Sequence, residues 1–131
     1  MHNRDQGARC PCGTGLTYGE CCGRAHSGAV PAGTAQALMR SRFTAFALGD
    51  ADYLLRSWHP DTRPKSVDLD PDQRWVRLDV LATTAGGPLH HEGTVEFRAH
   101  FRHGRERGEL HENSRFLRVD GRWVYWAPVG E

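Results

Sequence analysis

All four cysteines of this 131-residue chain fall within "CPCGTGLTYGECCG", residues 10–23, as Cys10-x-Cys12, then eight residues, then Cys21-Cys22. Thiolates are soft ligands suited to tetrahedral coordination, and two close pairs joined by a loop can set four sulfurs around one ion. The residues between them suit that geometry: Pro11 stiffens the first pair, while Gly13, Gly15, Gly19 and Gly23 let the backbone turn tightly. A redox CxxC is absent, because the pairs are C-x-C and C-C. A Cys21–Cys22 disulfide is strained. Metal binding leads on these grounds, with thiol redox or metal-handling chemistry beside it. His26, four residues beyond Cys22, is a candidate to replace one cysteine as ligand. Zinc is the default ion, and a sulfur-rich site also accepts iron. Four protein ligands close such a site, which then serves structure or partner binding and not catalysis.

Outside this cluster the residue types that can do acid–base or ligand-binding chemistry are Trp58, His59, Trp75, His111, Glu112, Ser114 and Arg115. If residues 110–117 form a strand, Leu110, Glu112, Ser114 and Phe116 share one face, and His111, Asn113, Arg115 and Leu117 the other. Glu112 and Ser114 then alternate with apolar residues on a face that can point inward. A buried carboxylate there needs a partner, which Arg40 or Arg42 can supply. A pocket would use His59 or Glu112 as general acid or base. The plainer alternative, which we favour, is a buried ion pair holding helix to sheet, since structural pairs also bury charge. His90 and His91 beside a Gly-Pro turn are expected to face solvent. The sequence has no nucleophile elbow, P-loop or dinucleotide fingerprint.

Composition narrows the classes further. Hydrophobic residues make up 38% and charged residues 25%, which is globular. A net charge of +1 removes the electrostatic case for a dedicated nucleic-acid or anionic-membrane binder, which normally shows a basic stripe. Sixteen of the seventeen basic residues are arginine, which we read as genomic base composition and not as phosphate binding. "RHGRERGE", 102–109, reads as a solvated hairpin tip. No apolar run approaches the ~20 residues of a membrane helix. The start "MHNRDQGARCPCG" lacks the apolar segment of a secretory signal, so the expected compartment is the cytoplasm, where thiols stay reduced.

These side chains must be positioned by two regions of different texture. Residues 1–33 contain seven of the fifteen glycines and few bulky apolar residues, so the segment needs stabilisation other than burial; a metal would supply it. "GAVPAG", 28–33, reads as a linker. From Thr34 onward, Ala35, Leu38, Met39, Phe43, Phe46 and Ala47 form a helical stripe, with Thr34 as N-cap and Gly49 as stop. Asp50 caps a second helix, "ADYLLRSWH", that Pro60 ends. Strands are expected over 74–83, 91–103, 110–119 and 122–129, with turns at "TAGGP", "GRERGE" and Asp120–Gly121. In the first, Val76, Leu78, Val80 and Ala82 oppose Trp75, Arg77, Asp79 and Leu81. Helices followed by a strand meander define an α+β class: a curved antiparallel sheet wrapped on helices as a cone.

The stretch "CPCGTGLTYGECCG" resembles the SEC-C motif, the metal-binding tail of the secretion ATPase SecA and of several small proteins. The resemblance implies Cys10, Cys12, Cys21 and Cys22 as ligands. "TAQALMRSRFTAFALGDADYLLRSWHP" and "ENSRFLRVDGRWVYW" are similar to the YchJ-like (UPF0225) family, which sets a SEC-C motif before an NTF2-like, cystatin-like cone. The expected organisation is a SEC-C knob over 1–27, a linker over 28–33 and an NTF2-like α+β domain over 34–131. The implied role is an adaptor whose knob docks a protein partner of the export machinery or the ribosome. A small-molecule site in the cone, at Trp58, His59, Trp75, Glu112 and Ser114, is the second reading.

Overall fold

The computed structural model describes residues 6–130; the first five residues of the expected knob and Glu131 lie outside them. After a 3-10 turn at Tyr18–Glu20 come helices α1 (Cys22–Ser27), α2 (Ala35–Leu48) and α3 (Ala51–Arg56), then strands β1 (Gln73–Ala85), β2 (Glu92–His103), β3 (Glu106–Val119) and β4 (Arg122–Pro128). The strands pair in chain order into one antiparallel sheet. α2 lies against it and carries the knob on its other side.

The caps of α2 are those expected. Thr34 Oγ1 accepts from the Ala37 N–H at 3.0 Å, and Gly49 takes the left-handed conformation that stops the helix. The stripe is broader than the apolar periodicity predicts. Ala35, Leu38, Met39 and Phe43 are buried, but so are Ser41, Arg42 and Thr44, while Phe46 and Ala47 are only half-buried. Packing on two sides explains this: the sheet takes one face, and the knob with α3 takes another. Buried polar groups persist there because they are hydrogen-bonded. Ser41 Oγ, for instance, donates to the Leu38 carbonyl at 2.7 Å and lies 2.7 Å from the Tyr53 hydroxyl.

α3 ends at Arg56, earlier than Pro60 requires. Tertiary pairing pulls the chain away: the Tyr125 N–H donates to the Ser57 carbonyl at 2.9 Å, and the His59 N–H to the Tyr125 carbonyl at 2.8 Å. Trp58 is thereby fixed beside β4.

β1 departs most from the expected alternation. Register shifts fall between Trp75 and Arg77 and between Val80 and Ala82. Trp75 therefore turns toward the core and Val76 is 53% exposed, the reverse of the simple period-two reading. Leu78 and Val80, between the bulges, do face the core. β2 matches its pattern, with Val95, Phe97 and Ala99 buried. The β2–β3 connection is tighter than a six-residue loop: Gly104 at φ +62 opens a two-residue turn, and His103 already pairs with Glu106. Asp120 and Gly121 both take positive φ, as a tight hairpin needs.

One core holds Leu38, Met39 and Phe43 of α2, Leu78, Val95, Phe97, Ala99, Phe116 and Trp123 of the sheet, and also Cys10, Cys12, Tyr18 and Cys22. The knob is thus part of the packed interior.

Candidate metal centre

The segment before α1 folds back on itself. Arg9 bridges Thr17, the Cys10 N–H donates to the Leu16 carbonyl at 2.9 Å, and the Tyr18 N–H to the Ala8 carbonyl at 2.7 Å. Gly13 and Gly15, at φ +89 and +90, make the reversal that a side chain would strain. α1 then begins at Cys22, so the vicinal pair stands at the mouth of the loop.

The four sulfurs converge: all Sγ atoms lie within 4.8 Å of one another, with Cys12 to Cys21 at 3.5 Å and Cys21 to Cys22 at 4.0 Å. A tetrahedral ion with metal–sulfur bonds of about 2.3 Å needs sulfur–sulfur edges of about 3.8 Å. A disulfide needs about 2.05 Å. All four are free thiols at metal-cage spacing, and the group can hold a metal ion.

Hydrogen-bond donors surround them. Thr44 Oγ1, reaching from α2, donates to Cys22 Sγ at 3.3 Å and lies 3.6 Å from Cys10 Sγ. Thr14 Oγ1 lies 3.2 Å from Cys21 Sγ. Arg40 Nη1 donates to the Cys12 carbonyl at 2.7 Å. Hydrogen bonds from the Cys12 and Cys22 thiols hold the Cys10 thiol well below its usual range. Cys12, donating to that thiolate, is pushed up to about 11, and Cys22 is raised for the same reason. Four sulfurs this close do not ionise together by themselves; a cation among them removes the obstacle.

His26 is engaged elsewhere. Its Nε2 donates to the Ser41 carbonyl at 2.8 Å, so Nδ1 accepts from the Tyr18 hydroxyl, also at 2.8 Å. The ring stacks 4.4 Å from Tyr53, and burial holds it below its ordinary pKa. The sign follows: between the folded value and about 6.5 the unfolded chain binds the extra proton, so stability is intact above 6.5 and lost as pH falls. We expect His26→Gln to flatten the difference in urea midpoint between pH 7 and pH 5.5. An unchanged pH profile in that variant would show that His26 does not titrate as placed.

The remaining candidates separate. Trp75 packs with Phe43, Phe46 and Phe101. Glu112 and Ser114 do point inward, and Glu112 Oε2 accepts from Ser114 Oγ at 2.5 Å and from the Tyr125 hydroxyl at 2.9 Å. Tyr125 meets Trp58 edge-on, and the Arg42 guanidinium sits over both rings at 4.8 and 4.9 Å. His59 packs edge-on to Trp126. Arg42, not Arg40, serves this interior, and it does so through Tyr125. His111 pairs with Glu96 on the outer face at 2.7 Å, Arg115 is exposed there, and His90 and His91 are exposed. Thr44 escaped the sequence reading because a threonine among apolar helix residues has no spacing signature of its own.

The body and the cysteine group are those of an NTF2-like domain carrying a SEC-C knob. The family model described as "YchJ, middle NTF2-like domain" matches residues 34–128, and the SEC-C motif matches residues 8–24. A UPF0225 protein of Streptomyces coelicolor is 58% identical over 88% of this chain and 90% of its own length. One from Corynebacterium glutamicum is 57% identical over 91% and 94%. The solution structure of a SEC-C motif containing protein from Rhodopseudomonas palustris aligns with TM-score 0.80 at 36% identity, covering 91% of this chain and 95% of that one. The chain belongs to the YchJ-like UPF0225 family.

Proposed function

We propose that this protein is a metal-stabilised adaptor: Cys10, Cys12, Cys21 and Cys22 hold one zinc ion, and the knob over residues 1–27 presents a docking surface to a protein partner. The connector is 28–33 and the body 34–131. The observation that carries the reading is the closed four-sulfur group, whose Sγ atoms all lie within 4.8 Å of one another. Zinc suits four thiolates at tetrahedral spacing, though iron fits the same donor set. A site with no open position supplies structure and surface, not catalysis.

Leu16 and Val30 are 49% and 42% exposed beside a groove of about 260 Å³ that also meets Cys21, Arg24 and Pro31. Exposed apolar groups beside such a groove favour a protein contact. The SEC-C likeness makes the export machinery or the ribosome, in the cytoplasm, the partner to test. Among the described residues no helix is long and apolar enough to cross a membrane. Trp58, His59, Trp75, Glu112 and Ser114 are read as packing and hydrogen-bonding groups of the body.

Metal analysis of protein from its own host, with recovery of bound partners, tests this on wild type and Cys21→Ser/Cys22→Ser. We expect about one zinc per wild-type chain, and a variant that loses both metal and partner. Full metal retention by the variant overturns the ligand set; partner recovery that ignores the metal overturns the docking role.

A further inference from the structure

The outer face of the sheet sorts its charges. Toward its middle, acids and bases pair: Asp79 with Arg77 and His100, Glu109 with Arg98, Glu96 with His111. At the end beside the β2–β3 turn His103 still pairs with Asp70 at 2.9 Å, but the arginines next to it do not pair. Arg74 stands opposite Arg102, and Arg102 opposite Arg107, in register across β1, β2 and β3. All three are exposed, and none of their side chains has a hydrogen bond or ion pair among the described residues. Like charges directly opposite one another destabilise a sheet. Among the described residues no ion pair offsets that cost, although Asp72 lines the same cleft as Arg74 and Arg102.

Two local features assemble the row. The bulge at Val76 puts Arg77 opposite His100, on the same outer face as Arg74. The two-residue turn at Gly104 brings Arg107 level with Arg102. Clefts lie on both sides of Arg102. One, about 430 Å³, is lined by Arg77, His100, Arg102 and Arg107 with no carboxylate in its wall. The other, about 520 Å³, is lined by Arg74, Arg102, Asp72 and His103, the last paired with Asp70. The net charge of +1 conceals this segregation.

We infer that this row is a binding site for a linear run of phosphates. Three guanidiniums spaced by strand separation span about 10 Å, more than a single phosphate can engage. Their planar forks match phosphate oxygens. Phe101 and His100 also line the first cleft, but the Phe101 ring packs under Gly108 and edge-on to Trp75, and His100 is held by Asp79, so both rings are already engaged within the fold. Recognition therefore reads the phosphates and not the sequence. An inorganic polyphosphate and a single-stranded RNA backbone share that chemistry.

The test measures binding of labelled inorganic polyphosphate, an RNA oligonucleotide and a poly-glutamate peptide of equal charge, each across a salt series. For wild type and RNA, three phosphate contacts predict a log–log salt slope of about −2. Arg102→Gln/Arg107→Gln should bind at least tenfold more weakly and shallow that slope by about 1.4. The same variant should melt no lower than wild type, because it removes like-charge repulsion. Arg115→Gln, at the far end of the face, should bind like wild type. Preference for polyphosphate assigns the site to the inorganic chain, and preference for RNA to a nucleic-acid backbone. Three results would overturn the inference: no salt-dependent binding to either, binding unchanged in the double variant, or equal retention of poly-glutamate.

Discussion

Chelating the metal from the purified protein is expected to lower the melting temperature of the entire domain by about 15 °C, not merely to loosen its first thirty residues. Free metal at a thousand times its dissociation constant adds about 4 kcal/mol to folding. For a chain of 131 residues each kcal/mol moves the midpoint by about 3–4 °C. The loss should be global because Cys10, Cys12 and Cys22 lie in the same buried cluster as Leu38, Phe43, Val95 and Phe116. Thr44 and Arg40 of α2 also bind the knob directly. Without an ion, the sulfurs repel on ionisation or remain as thiols in the core, and α2 loses its second support. Calorimetry with and without chelator, followed by re-addition of zinc, reads this. A single transition that falls and recovers is expected, and Cys12→Ser should mimic the chelated state. A metal-free protein melting at the holo temperature would mean that the centre decorates the fold without stabilising it.

That coupling also marks what the sequence could and could not convey. Caps and turns were legible because each rests on one or two residues: Thr34, Gly49, Asp50 and the Asp120–Gly121 pair behave as their local chemistry dictates. The cysteines were legible because C-x-C and C-C spacing has few other uses in a reduced chain. What failed depended on distant partners. The bulge at Val76 leaves no composition signal, yet it reverses which side of β1 holds Trp75. The early end of α3 follows from pairing with Tyr125, almost seventy residues on. His26 looked like a spare ligand by spacing alone; only the Ser41 carbonyl and the Tyr18 hydroxyl show where its nitrogens go. The arginine row escaped for the same reason: 102–109 reads as a solvated hairpin tip in sequence, and only register sets Arg74, Arg102 and Arg107 side by side.

The second large effect is expected at Arg42. Only 4% exposed, its guanidinium donates to the Leu54 carbonyl at 2.8 Å and to Ser57 Oγ at 2.7 Å, closing the C-terminal end of α3. It lies over the Trp58 and Tyr125 rings, and Tyr125 passes a hydrogen bond to Glu112. Burial pushes the guanidinium down to about 10, so it stays charged at neutral pH with aromatic faces and carbonyl oxygens in place of water. Arg42→Met keeps much of the volume but deletes the charge-assisted bonds and the cation–π contacts. Each of those is worth about 1.5–3 kcal/mol when desolvated, against some relief of burial cost. A net loss of about 3 kcal/mol, or roughly 10 °C, is the expected result. Arg42→Lys should recover only part of it: one nitrogen, Nη1, serves both oxygens, so an ammonium can replace those bonds, but it cannot lie flat on two rings as the planar guanidinium does. A double-mutant cycle with Glu112→Gln distinguishes a network from independent contacts. Coupling of at least about 0.5 kcal/mol is expected, since Glu112 favours the charged guanidinium electrostatically and both groups contact Tyr125. Additive losses would leave Arg42 as a helix cap alone. They would free Glu112 from its packing role and return the cone interior to consideration as a ligand site.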